Sequence, residues 1–178
     1  SKCKACHLYK TRTQTVPGKG NPKSKIMIIG EAPGHNEDLK GIPFIGKSGR
    51  ILDNLLISIG LDRTKIFITN IVKCRPPKNR NPNLTEISAC SSFLDSQINT
   101  INPLIIITLG VFSLKKFLPG TPIKNARGSI HQWNGYNIYP IYHPAAALYN
   151  PTLLPKMESD FKNISRLITE LENTNNSP

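Results

Sequence analysis

Acidic residues are scarce in this chain of 178 residues and are missing from long parts of it. Asp and Glu together number 11, against 23 Lys and Arg, which gives a formal net charge of +12. Residues 1–30, 63–80 and 96–157 contain no acid at all. Positive charge segregated in this way favours a polyanionic partner, since lysines and arginines that neutralise phosphates release condensed counterions. The charge therefore predicts nucleic acid as the partner, although ribosomal and membrane-surface proteins also reach a pI of 9.8.

Long hydrophobic runs are missing too. No stretch of the sequence approaches the roughly 18 consecutive apolar residues of a membrane span, and the N-terminal SKCKACHLYK lacks the apolar region of a secretory signal. We therefore expect a cytoplasmic protein with no membrane partner. With 38% apolar residues, a chain of 178 residues can bury one well-formed core and is too short for two ordinary domains. We expect a single domain over residues 1–172 and a flexible tail over residues 173–178.

Cysteine is rare, and the chain has only Cys3, Cys6, Cys74 and Cys90. Four cysteines allow three disulfide pairings, but a disulfide framework is not expected in a chain without an export signal. The favoured interpretation is a four-cysteine metal site. Zinc and iron–sulfur clusters both accept four thiolates. The spacing does not choose between them, because two residues separate one pair and fifteen separate the other.

Short apolar runs alternate with segments of helical periodicity along the chain. The runs SKIMIIGE, KIFITN, PLIIITLG and NGYNIYPIYH are typical of strands, and a helical pattern follows each of them. Ser48 is expected to cap the helix after the first strand. Strands that alternate with helices favour a parallel sheet covered on both sides, so we expect an α/β fold.

Three of the four strand ends carry polar or glycine-rich segments. GEAPGHNED occupies residues 30–38, TNIVKCRPP residues 69–77 and YHPAAAL residues 142–148. Taken singly, each has an ordinary structural interpretation: a tight turn, a capping role for Asn70 and a structural role for His143. Because parallel sheets bind ligands at the carboxyl ends of their strands, we expect the three segments to converge on one site.

These motifs resemble those of the family four uracil-DNA glycosylases, the iron–sulfur branch of the uracil-DNA glycosylase superfamily. The matching segments cover nearly the whole chain: CKAC, GEAPGHNED, GIPFIGKSGRILD, TNIVKCRPPKNRNP with a further cysteine at Cys90, and YHPAA. The resemblance implies a three-layer α/β/α fold around a four-stranded parallel sheet. It implies hydrolysis of the N-glycosidic bond of uracil in DNA, which leaves an abasic site for downstream repair enzymes. It also favours a structural [4Fe–4S] cluster on the four cysteines. We expect the protein to be a monomer.

The same resemblance assigns roles in base recognition and bond cleavage. Phe44 is expected to stack on the uracil, with ordinary core packing as the alternative, and Asn70 to bind the Watson–Crick edge. His143 is expected to donate a hydrogen bond to O2 of the departing base. Backbone N–H groups of the GEAPG turn, at Gly30 and Ala32, add donors around the base.

Two positions of the GEAPG motif differ from the best-known branch of the superfamily. In that branch an aspartate of this turn positions the attacking water, and the aligned residue here is Ala32. The neighbouring Glu31 is the candidate for binding the water, with a structural hydrogen bond as the alternative. That branch excludes thymine with a tyrosine where this chain has Gly34, so Glu37 is the candidate for rejecting the 5-methyl group.

Contacts with the DNA strand are expected from two further segments. The loop between the last two cysteines carries Arg75, Lys78 and Arg80, which we expect to face the DNA backbone. Leu148, or alternatively Ala147, is expected to fill the space left by a flipped base.

Two other function classes stay open. A non-catalytic, metal-stabilised nucleic-acid-binding module accounts for the charge and the cysteines, but not for the convergence of three chemical motifs. A nucleotide- or flavin-binding protein accounts for the glycine-rich turn. It fits less well, because GEAPG lacks the spacing of the known phosphate-binding glycine loops.

Overall fold

The computed structural model of the protein describes residues 2–175. Its strands are β1 (Lys19–Gly20), β2 (Ile26–Gly30), β3 (Phe67–Asn70), β4 (Ile105–Leu109), β5 (His131–Trp133) and β6 (Tyr136–Ile141). Its α-helices are α1 (His35–Lys40), α2 (Lys47–Ile57), α3 (Leu84–Ile101), α4 (Gly110–Phe117), α5 (Ile123–Ala126), α6 (Pro144–Tyr149) and α7 (Leu154–Asn175). Short 3-10 helices lie at His7–Lys10, Pro77–Asn79 and Pro151–Leu153.

The sheet is mixed and has six strands in the order β1-β3-β2-β4-β6-β5. The four predicted strands are present and pair in parallel through β3, β2, β4 and β6. The sheet differs from the predicted four-stranded one because β1 and β5 pair antiparallel at its two edges. The α/β class is as expected. All four parallel strands end on the same side, where the predicted site segments follow them.

Alternate residues of the strands point into two separate apolar cores. Ile26 and Ile28 of β2 pack in a core that also contains residues of α2 and α7. Met27 and Ile29 of the same strand pack in a second core with residues of α3 and α4. All four side chains are buried. Both faces of β2 are therefore covered, which explains why this strand is apolar at every position rather than alternating.

The starts of α2 and α3 are fixed in different ways. At α3, Asn83 accepts a hydrogen bond from the Glu86 N–H, and the Glu86 carboxylate accepts one from the Asn83 N–H, which forms a capping box. At α2 the N-cap is Gly46, not the predicted Ser48, and it makes no side-chain cap. The carboxylate of Glu37 in α1 accepts from the Gly46 N–H instead.

The end of the chain overlaps the segment predicted as a tail. Helix α7 continues to Asn175 and so includes residues 173–175 of that segment. Residues 176–178 of the predicted tail lie outside the described residues. Within residues 2–175, no helix combines the length and the apolar character needed to cross a membrane.

Candidate active site

A cavity of about 500 Å³ lies at the carboxyl ends of the parallel strands. Loops that follow β2, β3 and β6 form its walls, as the strand topology predicts. The predicted site residues that line it are Glu31, Ala32, Glu37, Phe44, Asn70, Arg80 and His143. The structure therefore brings together residues that are up to 112 positions apart in the sequence.

Asn70 is the last residue of β3, and its side chain lies in this cavity with 1% of its surface exposed. Its Oδ1 atom is buried and has no hydrogen-bond partner among residues 2–175. A buried acceptor without a partner is costly, so such an atom commonly marks a position where a ligand binds. The Asn70 amide is therefore placed to accept a hydrogen bond from a molecule in the cavity.

Gly30 makes room for this amide and for the neighbouring aromatic ring. It lies opposite Asn70 in the parallel register of β2 and β3. A Cβ atom at Gly30 would lie 2.4 Å from Asn70 Oδ1 and 2.5 Å from Phe44 Cζ. Any side chain at Gly30 would displace one of them. Gly30 does not line the cavity itself, and its contribution is the space that Asn70 and Phe44 occupy.

Phe44 forms a second wall of the cavity and also contacts the core. Its ring lies near the His143 ring, with centroids 5.6 Å apart and planes inclined by 28°. The Phe44 backbone has a φ of 53°, in the left-handed region that side-chain-bearing residues seldom adopt. Both predicted roles of Phe44 are therefore compatible with its position, because the residue belongs to the core and also lines the cavity.

His143 is the N-cap of α6, and its Nδ1 accepts a hydrogen bond from the Ala145 N–H at 3.1 Å. Burial of the imidazole lowers the pKa of His143 to about 4, against the opposing effect of the nearby Glu37 carboxylate. The ring is therefore neutral at pH 7. Because Nδ1 acts as the acceptor, the single ring proton belongs on Nε2, which leaves a neutral N–H donor available to the cavity.

This electrostatic environment predicts how His143 titrates. We expect its imidazole to stay neutral at pH 6, where a solvated histidine is more than half protonated, because burial lowers its pKa to about 4. The unfolded chain then binds more protons than the folded one between about pH 6.5 and 4, so the stability that His143 contributes falls as the pH drops through this window. NMR titration of the ring checks this, and an apparent pKa near 6.5 would contradict it.

The two carboxylates of the GEAPGHNED segment differ in their contacts. Burial raises the pKa of the Glu31 carboxyl, which has no hydrogen-bond partner within the described part of the chain. The Oε1 atom of Glu37 accepts hydrogen bonds from the Ile45 and Gly46 N–H groups, each at 2.9 Å. Glu31 is therefore the carboxylate that remains available to a water molecule, while Glu37 has a structural function in addition to its place on the cavity wall.

The four cysteines line a second cavity of about 580 Å³, together with Lys73. None of the four forms a disulfide within the described part of the chain. Arg12 donates a hydrogen bond to Cys74 Sγ at 3.0 Å, and the Lys73 N–H donates to Cys90 Sγ at 3.4 Å. Burial raises the thiol pKa of both Cys74 and Cys90, and these donors oppose it. Among residues 2–175, no three His, Cys, Asp or Glu side chains are arranged to hold a single metal ion.

Lys73 lines the cysteine cavity and is buried. Its ammonium donates to Thr69 Oγ1 and the Asn70 carbonyl, each at 2.6 Å, and to Gln97 Oε1 at 2.7 Å. Burial lowers the pKa of Lys73 to about 7. Lys73 thus connects the end of β3, where Asn70 lies, to helix α3.

Known proteins with similar sequences identify the family of this chain. The profile of the uracil DNA glycosylase superfamily matches residues 17–168. The chain belongs to this superfamily, in its type-4 branch. A type-4 uracil-DNA glycosylase of Sulfurisphaera tokodaii is 49% identical over 175 residues, which cover 93% of this chain and 80% of the relative. The enzymes of the same name from Saccharolobus solfataricus and Archaeoglobus fulgidus are 49% and 44% identical, over 94% and 93% of this chain and 82% and 87% of their own.

In the loop of this type-4 chain that carries Arg75, Lys78 and Arg80, two of the three cationic side chains already have partners within the protein. Arg80 donates to both carboxylate oxygens of the buried Glu86, at 2.6 and 2.8 Å, and this pairing lowers the pKa of the Glu86 carboxyl. Arg75 donates to Asn79 Oδ1 at 2.7 Å and contacts His35 Nδ1 at 3.1 Å. Lys78 is exposed and forms no hydrogen bond or ion pair with the described residues. Arg80 therefore organises the loop, and Lys78 is its available cation.

Some residues that line the cavity at the carboxyl ends of the strands were not identified from the sequence of this type-4 chain. Tyr149 lines it and is 89% exposed, whereas the predicted Leu148 is 44% exposed and does not line it. Ser48, Asn79 and Asn81 also line the cavity. The only sequence signal for Tyr149 was an aromatic residue six positions after His143 on a short helix, which does not indicate which way the side chain points.

Proposed function

We propose that the protein flips uracil out of DNA and hydrolyses its N-glycosidic bond, leaving a free abasic site. The observation that carries the proposal is the buried Asn70 Oδ1 without a described partner, in a cavity that Phe44 and His143 also line. The relatives named as type-4 uracil-DNA glycosylases support it. Apolar cores on both faces of the sheet support the predicted three-layer α/β/α arrangement.

Recognition of uracil follows from the chemistry of a primary amide. A base inside a duplex cannot be reached, so it must enter the cavity as a flipped nucleotide. There the Asn70 oxygen accepts from uracil N3–H and the Asn70 NH₂ donates to O4, while Phe44 stacks on the ring. Cytosine presents the reverse pattern at these two positions and leaves both groups of the amide unpaired.

Rejection of thymine is assigned to Glu37. A Cβ atom at Gly34 would lie 2.7 Å from Glu37 Oε2, so this carboxylate occupies the space in front of Gly34. Its Oε1 is held by two backbone N–H groups, which restrict the side chain to this position. A fixed carboxylate at this point of the wall opposes entry of a 5-methyl group.

Cleavage leaves negative charge on the departing uracil, so donors near O2 lower the barrier. The Nε2–H of the neutral His143 is the donor we assign to O2, and backbone N–H groups around Ala32 add to it. Glu31 is assigned to hold the attacking water, because its carboxylate lines the cavity and has no hydrogen-bond partner within residues 2–175. The raised pKa of the Glu31 carboxyl makes it a better proton acceptor than a solvated carboxylate.

We assign Cys3, Cys6, Cys74 and Cys90 to a [4Fe–4S] cluster. All four line one cavity, and the Arg12 guanidinium and the Lys73 backbone N–H donate to two of the sulfurs, which favours their thiolate form. Because no three His, Cys, Asp or Glu side chains within residues 2–175 are arranged to hold a single ion, four thiols around one cavity would suit a cluster better than a single zinc. When bound, the cluster supplies a crosslink between the N-terminal segment and the loop that carries the basic residues. Hydrolysis itself moves no electrons.

The metal content is the first prediction of the proposed function. We expect the purified protein to be brown, to absorb broadly in the visible range and to contain about four irons per chain. Replacing Cys90 with Ser should remove the colour and most of the iron, because one of the four ligands is lost. Metal analysis by mass spectrometry, with sulfide determination, checks this. Stoichiometric zinc without iron would show that the cavity is a zinc site.

DNA binding is assigned to the basic loop and to α6. Lys78 is exposed beside the cavity, and Arg75 and Arg80 are held in the same loop by Asn79 and Glu86. Leu148 stays the candidate for filling the space left by the flipped base. We expect a monomer in the cytoplasm that hands its abasic product to other repair enzymes.

The different environments of Lys78 and Arg80 give a second prediction. Lys78→Ala should weaken binding to DNA of any sequence and reduce the salt slope by roughly one, because one phosphate contact is lost. Arg80→Ala should instead lower the melting temperature, since it leaves the buried Glu86 carboxylate without its ion pair. Binding titrations at several salt concentrations check this, with the exposed Lys162→Ala on α7 as the control. An unchanged salt slope for Lys78→Ala would remove it from the DNA interface.

The proposed activity has a direct test. The protein is incubated with oligonucleotides that differ only in carrying uracil, cytosine or thymine at one position, and abasic sites are then cleaved with alkali. We expect cleavage only with uracil. DNA binding without uracil-dependent cleavage would indicate a non-catalytic nucleic-acid-binding module, and His143→Ala serves as the control for contaminating activity.

A further inference from the structure

We propose that Arg63 is a positioning residue for Phe44, which it holds in the conformation that presents the ring to the base. This inference rests on the proposed function of the cavity that Phe44 lines. Arg63 itself does not line that cavity; it lies behind the Phe44 segment, in the turn before β3. Its effect on the base is therefore indirect.

The Phe44 backbone needs external support. Its φ of 53° lies in the left-handed region, which is unfavourable for a residue with a Cβ atom. Such conformations persist where the surrounding structure imposes them, and they cluster at functional sites. Phe44 is also followed by Ile45 and Gly46, neither of which has a side chain that can accept a hydrogen bond from the local backbone.

Arg63 supplies that support through its whole guanidinium group. Nε donates to Asp53 Oδ1 at 2.6 Å and Nη1 donates to the Pro43 carbonyl at 2.8 Å, while Nη2 donates to the Phe44 carbonyl. Two successive carbonyls are thus fixed by one planar group, and Asp53 on α2 fixes the plane of that group. A lysine at this position cannot reproduce three donors in a fixed fork.

The peptide group that follows Phe44 is held at both ends. Its carbonyl oxygen accepts from Arg63, and its N–H, which belongs to Ile45, donates to the Glu37 carboxylate. The same carbonyl packs against α2 at Gly49, where a Cβ atom would lie 1.8 Å from the oxygen. A cation on one side and an anion on the other therefore fix the orientation of this peptide plane, and with it the direction of the Phe44 ring.

A double-mutant cycle tests whether Arg63 acts through Phe44. We expect Arg63→Lys to lower single-turnover uracil excision at saturating enzyme by about tenfold, with little change in DNA binding. In a Phe44→Ala background the same substitution should change the rate by less than about twofold, because there is no ring left to position. The matched control is Arg166→Lys, which alters an exposed Arg–Glu pair on α7.

A second measurement and a second variant keep the outcomes distinct. Hydrogen exchange at the Ile45 amide should accelerate in Arg63→Lys, a readout that does not depend on excision. If Arg63→Lys does not fold, Asp53→Asn replaces that variant. The Asp53→Asn substitution weakens the contact that orients the Arg63 guanidinium but leaves the hydrogen bonds from Arg63 to the two carbonyls. Equal rate losses in both Phe44 backgrounds, or unchanged exchange at Ile45, would overturn the proposal. Wild-type protein that binds uracil-containing DNA without excision would overturn the proposed function instead. Hydrogen exchange at Ile45 would then still test whether Arg63 holds the Phe44 segment.

Discussion

Asn70→Asp is expected to lower uracil excision by roughly tenfold to several hundredfold, from the loss of about 1–3 kcal/mol or more of recognition. The substitution removes the NH₂ donor to uracil O4 and places a carboxylate oxygen there, so two acceptors face each other. Asn70 is 1% exposed, which leaves the new carboxylate little room to turn away. Single-turnover rates on uracil-containing single strands check the prediction.

The same variant should change the order of preference among bases. Cytosine should gain relative to uracil, because its N4–H₂ donates toward the new acceptor and a protonated carboxyl can donate to N3. Asn70→Leu is the matched control, since it removes both the donor and the acceptor and should not favour cytosine. Full retention of uracil activity by Asn70→Asp, or loss only through unfolding, would make Asn70 a turn residue and the assigned cavity wrong.

His143→Ala is expected to slow uracil excision by roughly a hundredfold to a thousandfold, the usual effect of removing one donor to a developing negative charge. Unlike Asn70→Asp, it should not raise the activity on cytosine relative to that on uracil, because O2 is common to both bases. Single-turnover rates with saturating enzyme check this. A loss confined to DNA affinity would place His143 outside the chemical step.

The helix cap made by His143 calls for a second variant. His143 Nδ1 accepts from the Ala145 N–H, so alanine removes a cap as well as a donor. His143→Asn keeps a capping side chain, and we expect it to be more stable than His143→Ala by about 1 kcal/mol. If both variants lose the same activity while their melting temperatures differ, the loss comes from the missing donor rather than from a displaced α6.

The parallel strands and the residues at their ends were predictable because both depend on local pattern. The buried β2 and β4 are short and mainly apolar, Asn70 is the last residue of β3, and His143 lies two residues after β6. Strands β1 and β5 were missed, since they have two and three residues and form only by pairing with a neighbour that is already in place.

Contacts between distant residues explain the rest of what the sequence did not show. Ser48 had the right chemistry to cap α2, but it lies inside the helix. The Gly46 N–H at the helix start donates to the Glu37 carboxylate of α1 instead. Arg80 was interpreted as a DNA contact, and its pairing with Glu86 depends on the turn at Lys78 and Asn79, where both φ angles are positive. Arg63 lies about 20 residues from the carbonyls that it holds, and a single sequence carries no signal for such a contact.

The buried oxygen of Asn70 also has a thermodynamic consequence for the free protein. An acceptor that is removed from water and has no partner lowers the stability of the empty fold by about 1–3 kcal/mol. This free energy is regained when a ring with a suitably placed N–H enters the cavity and donates to the oxygen. A ring that presents an acceptor at that position does not regain it. Part of the discrimination between bases thus originates in a defect of the unliganded state, and a sequence optimised only for stability would eliminate it.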